Sequence, residues 1–200
     1  MRTVSYFTLF ILFFAACRKD EPTKIVDPPP PPPPPPTEYI PTYSPCGTET
    51  GEVFAIKSTK RWQAGASCRT VKISGKTYWV VEFTTCSSGA LRESITFGAI
   101  PDHNPIQKYA FQHWHNGVIA GTLDPRYHIL GADGDVLEDT YSIDTTTSVT
   151  NFFEIDRWDK DNKRVEGHFA FSANIREPRY NPASPKKVAF TSGRFWLNLP

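Results

Sequence analysis

From Cys46 to the carboxy terminus, no stretch keeps apolar residues at 3.6-residue spacing for three turns, whereas alternation of apolar and polar positions recurs in short runs. Gly, Pro, Asn and Asp separate those runs. Alternation at period two is what a strand with one buried face requires, because successive side chains point to opposite sides. Ten runs predict strands over 52–58, 69–74, 77–84, 93–100, 109–115, 126–130, 149–158, 164–174, 187–190 and 194–199. The expected fold is all-β, an antiparallel β-sandwich or a partly closed barrel.

Two hairpins can be placed in register. Gly75 and Lys76 suit a two-residue turn with Gly first, which sets Ser74 opposite Thr77 and Cys86 opposite Gly65. Trp79 then shares the core face with Val81 and Phe83. Farther on, a polar loop from Asp159 to Lys163 pairs Trp158 with Arg164, Ile155 with Gly167, Phe153 with Phe169 and Val149 with Ala173. One face of that hairpin is almost wholly apolar. The other sets Glu154 opposite His168 and Asp156 opposite Glu166, an ion pair beside a like-charge pair.

The amino terminus follows different rules. Arg2 precedes an apolar run that ends at Ala15 and Ala16, and the 13 residues from Val4 to Ala16 are too short for a bilayer core that needs about 20. Residues 1–16 therefore read as a secretory signal peptide. The segment Phe14-Ala15-Ala16-Cys17 resembles the lipobox of bacterial lipoproteins, which implies that Cys17 becomes the first residue and the point of lipid attachment. More than one acyl chain on that residue gives stable membrane attachment. Lys19-Asp20-Glu21 resembles the export signal that carries lipoproteins of Bacteroidota to the outer face of the outer membrane. Residues 17–45 form a tether whose unbroken run of nine prolines, Pro28 to Pro36, excludes helix and central strand. As polyproline II that run spans about 28 Å. A single domain over 46–200 remains, about 155 residues, an ordinary size for one core.

Charge excludes one class of partner. Lys and Arg number 22 against 21 Asp and Glu, and loss of Arg2 with the signal brings the mature chain to balance. The basic residues are scattered, so the basic face that phosphate neutralisation needs is missing and nucleic acid is set aside.

The carboxy-terminal part resembles small, uncharacterised β-sandwich lipoproteins of the Bacteroidota outer membrane. The likeness rests on Phe152-Phe153-Glu154-Ile155-Asp156, on Gly167-His168-Phe169-Ala170-Phe171 after a polar turn, and on the closing Gly193-Arg194-Phe195. It implies a compact anchored domain, and brings no catalytic residues and no cofactor.

Without Cys17, Cys46, Cys68 and Cys86 form an odd set for an oxidising compartment. Two readings stay open: one disulfide joining Cys86 to Cys46 or Cys68, or three buried thiols. His113 and His115 lie two apart on a predicted strand, the arrangement that lets two imidazoles share a metal, but no third ligand is identifiable. His103, His128 and His168 stand as unplaced partners. Asp133-Gly134-Asp135 and the acids between Asp156 and Asp161 have calcium-like spacing without the closing Glu of an EF-hand loop. Asp156 and Glu166 form a carboxyl pair of the glycosidase kind. No nucleophile elbow, P-loop, dinucleotide fingerprint or zinc-peptidase motif occurs, which argues against an enzyme. Trp114, Trp158 and Trp196 exceed what the core needs and offer a platform for sugar rings or a partner protein. The leading expectation is a non-enzymatic binding module anchored in the outer membrane through Cys17 and facing outward, with a glycan or protein ligand. The alternatives are an envelope structural or assembly protein facing the periplasm and a metal-dependent hydrolase.

Overall fold

A computed structural model describes residues 43–113, 120–146 and 151–200. The lipobox, Cys17, the proline run, Trp114, His115 and the Val149 pairing lie outside these residues. Within them, twelve strands are present: β1 Ser44–Pro45, β2 Gly51–Lys57, β3 Lys60–Ile73, β4 Lys76–Ser87, β5 Ala90–Pro101, β6 Lys108–Phe111, β7 Thr122–Leu123, β8 Arg126–Leu130, β9 Leu137–Ile143, β10 Phe152–Asp159, β11 Arg164–Ile175 and β12 Lys187–Asn198.

Three two-residue turns set the long strands in order. At Ser74-Gly75 and Ser88-Gly89 both residues have positive φ, the geometry of the primed hairpin turns that match strand twist. Ser58-Thr59 joins β2 to β3 in the same span, with Lys57 opposite Lys60. The order β12-β2-β3-β4-β5-β8-β9-β11 then closes, because β11 also pairs with β12. The fold is thus an eight-stranded antiparallel barrel with extra strands. β12 takes one side of β11 along its length, and β9 and β10 share the other side. β10 continues the sheet through β6 to β7, forming a branch off the barrel wall. β1 pairs Ser44 with Cys86, so strand pairing begins two residues before the predicted boundary at Cys46.

The first hairpin corrects the predicted register. Ser74 and Gly75 form the turn, Ile73 faces Lys76 and Gly65 faces Thr84, one step along each strand from the expected pairing. Such a slide keeps the parity of the pleat, so the predicted core face of Trp79, Val81 and Phe83 is the buried one. The second hairpin pairs Phe153 with Phe169, Glu154 with His168 and Ile155 with Gly167, as predicted, until a bulge between Ile155 and Arg157 shifts the tip. Arg157 rather than Asp156 faces Glu166, and Val165 rather than Arg164 faces Trp158. The bulge therefore replaces a like-charge pair by one of opposite sign.

The core is aromatic. Phe153 stacks on Phe195 at 4.8 Å between centroids, Phe97 lies 4.6 Å from Phe153, and Phe83 lies 5.2 Å from Phe169. Two glycines make room for them. Gly167 faces Phe195 and Gly193 faces Phe169 in the β11–β12 ladder. A Cβ at Gly193 would lie 2.4 Å from the Phe169 ring, and one at Gly167 would lie 2.7 Å from the Phe195 ring. The Gly-x-Phe motifs are thus reciprocal seats, each strand's glycine receiving the other's ring.

One interior cluster is polar. Lys57 and Glu93 form an ion pair with both side chains buried. Trp62 Nε1 donates to Glu93 Oε2 at 2.8 Å, and Tyr127 Oη donates to Oε1 at 2.7 Å. Thr85 Oγ1 adds a second donor to Oε2 at 3.2 Å. Burial, and then the Glu93 charge, push the Tyr127 phenol well above its usual range.

Candidate functional site

The residues with chemical capacity lie on the outer face of the wall β10–β11–β12–β2. Register sets Glu154, His168, Arg194 and Phe54 side by side in one row across these strands. The neighbouring row carries Glu166, Trp196 and Glu52. An open groove of about 680 Å³ runs over them, lined by Phe54, Phe152, Trp196, His168 and the charged groups Asp156, Arg164, Glu166 and Arg194. Phe54 is 47% exposed, the most open aromatic in the groove that holds to a strand interior.

His168 is held on both edges. Its Nδ1 lies 2.8 Å from Asp156 Oδ2 and its Nε2 lies 3.4 Å from Glu154 Oε2, while Phe152 meets the ring edge-on at 5.2 Å. The bulge brings Asp156 to this position, where it and Arg157 both face outward. Glu154 also has Lys108 Nζ at 3.9 Å. On the other row, Arg164 donates from Nε to Glu166 Oε1 at 2.8 Å, and its guanidinium stacks 4.5 Å from the Trp196 ring centroid. Trp196, Arg164 and Glu166 thus brace one another.

The tryptophans predicted as a platform do not share a face. Trp158 follows the bulge onto the inner side, where it packs edge-on against buried Trp79 at 5.3 Å, with Lys160 over its ring. Trp196 alone of the described pair faces the groove.

Of the predicted histidine pair, His113 alone is among the described residues. β6 ends at Phe111, and His113 beyond it has Nδ1 3.4 Å from Asp124 Oδ1. His128 Nδ1 pairs with Thr140 Oγ1 at 3.1 Å, and burial is the main cause holding it below the usual imidazole range. His103 stands exposed 3.7 Å from Asp102. Among the described residues, Glu154, Asp156 and His168 are the one set of three metal-capable side chains with donor atoms within 4.8 Å of one another. The two carboxylates flank opposite ring nitrogens, so an ion on Nε2 would take Glu154 and leave Asp156 as the group that orients the ring.

The calcium-like acids serve turns. The loop bearing Asp133 and Asp135 closes through Gly131 N donating to Val136 O at 2.8 Å, with Gly134 at positive φ. Asp159 accepts from Asn162 N and Nδ2 at 3.1 and 2.9 Å, capping the hairpin loop. Asp156 and Glu166, set beside each other as a carboxyl pair by the predicted register, are separated by the bulge onto His168 and Arg164. The cysteine alternatives are settled: Cys46 and Cys86 form the disulfide. Cys68 faces Val81, is free and half-buried, and burial pushes its thiol up to about 12.

The groove combined signals that no single motif carries. The sequence pairing of Glu154 with His168 was readable from the hairpin, but Arg194, Trp196 and Phe54 join it only because β12 and β2 close the barrel. No family pattern, no curated protein and no solved structure matches this chain.

Proposed function

We propose that the protein is a lipid-anchored, outward-facing module of the outer membrane that binds a glycan through the groove on β10–β11–β12–β2 without catalysing a reaction. The reading joins the lipobox at Cys17 and the charged triplet after it to a groove whose most open aromatic, Phe54, lies near Trp196 among hydrogen-bonding side chains. The single observation that carries it is this groove: apolar ring faces flanked by Arg, His and carboxyl groups are what a sugar, with its apolar C–H face and hydroxyl rim, needs. In this reading, attachment to the membrane is through acylated Cys17.

The test is a glycan-array and titration experiment on the full-length protein. Binding of a glycan that is lost in Phe54→Ala, with the melting temperature unchanged, is the expected outcome. A protein that captures no glycan, or binds one equally well without the Phe54 ring, contradicts the reading and turns attention to a protein ligand or to a periplasmic structural role.

A second reading has one specific observation behind it, the Glu154–Asp156–His168 set, which replaces His113 and His115 as the basis for a metal-dependent hydrolase. Zinc titration followed by calorimetry tests it. Saturable binding abolished in His168→Ala would favour this reading, and absence of binding at micromolar zinc removes it.

A further inference from the structure

We infer that the groove selects an acidic sugar polymer and that Arg194 is the residue that reads its charge. The inference rests on the glycan reading of the same groove and goes beyond it in assigning the ligand's sign. One groove cation is left without a partner. Each acid lining the groove already has a side-chain partner: Glu166 accepts from Arg164 at 2.8 Å, and Asp156 Oδ2 lies 2.8 Å from His168 Nδ1. Glu154, beside the groove, lies between His168 and Lys108. Arg164 is committed twice over, to Glu166 and to the Trp196 ring.

Arg194 is different. It is exposed, it lines the groove, and its guanidinium has no ion pair or hydrogen bond among the described residues. Glu52, two residues from Phe54 on β2, makes no ion pair with it and does not line the groove. The position is built rather than incidental. Ser192, at positive φ, forms a bulge in β12 immediately before Gly193, and the ladder resumes with Arg194 between His168 on one side and Phe54 on the other. An unpaired planar fork beside an exposed ring fits a sugar that presents its C–H face to Phe54 and a carboxylate or sulfate to Arg194.

The test uses the full-length protein with three probes: oligogalacturonate, its fully methyl-esterified form, and a sulfated galactan oligosaccharide. The acid and its ester have the same ring skeleton and differ in charge. The acid is expected to bind about tenfold or more tighter than the ester, in line with the strength of one charge-assisted hydrogen-bonded pair. Arg194→Gln is expected to bring the affinity for the acid down to that for the ester, and Arg194→Lys to restore part of the preference because the charge returns without the fork. Tighter binding of the sulfated probe than of oligogalacturonate assigns the anion as sulfate. Equal affinity for acid and ester, or a preference that survives Arg194→Gln, overturns the inference and leaves the glycan reading standing. Binding of polyglutamate as tightly as oligogalacturonate contradicts the sugar part, and no binding of any glycan removes both readings.

Discussion

Lys57 and Glu93 are the residues at which the barrel departs most from an apolar interior, being 2% and 0% exposed. Lys57 continues the inward series of Val53 and Ala55, so its direction was legible from alternation, whereas the partner that makes a buried lysine tolerable comes from a strand far along the chain. Removing one member leaves the other charge buried and unpaired, at a cost of about 3–5 kcal/mol. Lys57→Met is therefore expected to lower the unfolding free energy by that amount. Lys57→Met combined with Glu93→Gln should recover most of it, because the amide oxygen still accepts from Trp62 and Thr85 while its NH2 donates to the Tyr127 hydroxyl oxygen, without a charge. Denaturant unfolding of the single and double variants checks this. Additive losses would show that the pair is not coupled.

Asp144 gives the pH dependence. The Lys187 ammonium, then the Thr146 hydroxyl and amide, hold its carboxyl at about 2 against an ordinary 3.8. A carboxyl depressed on folding contributes stability that is present above its unfolded value and lost as pH falls through the folded one. That contribution, about 2 kcal/mol, is expected to disappear between about pH 4 and pH 2. Asp144→Asn should start lower at neutral pH and lose less across the same window, as read from melting temperature against pH.

At the scale of strands, the long alternating runs were legible and the ones with inverted polarity were not. β9 was unpredicted because its inward positions include Asp139, which accepts from the backbone amides of Tyr180 and Asn181, while Leu137 faces outward and is exposed. The first half of β3 was missed because its inward side chains are mostly small, Ala64 and Ala66 after Trp62. β12 was divided in two at Ser192 and Gly193, where the structure has a bulge that both neighbours accommodate. The groove inherits these difficulties, since it needs the register of β12 against both β11 and β2. The disulfide belongs to this scale as well. It ties the segment after β1 to β4 across a separation of 40 residues, and its removal in Cys46→Ser/Cys86→Ser should cost about 2–4 kcal/mol. Cys68, half-buried with its thiol pushed up to about 12, should resist alkylation at neutral pH in the folded protein and react on unfolding. Rapid labelling of the native protein at Cys68 would contradict that account.

For the molecule as a whole, the all-β class follows from short alternating runs with tight turns, whereas sandwich and barrel were not distinguishable until the β11–β12 pairing closed the sheet around an interior filled by rings. The proposal that ties an anchor at Cys17, a proline tether and the groove together is that the β10–β11–β12–β2 wall faces the surroundings of the cell. Protease shaving of intact cells tests it, following the barrel by antibody in the native chain and in Asp20→Ala/Glu21→Ala. The account predicts that the native barrel is shaved and the variant protected. Protection of both would contradict it and place the groove inside the envelope.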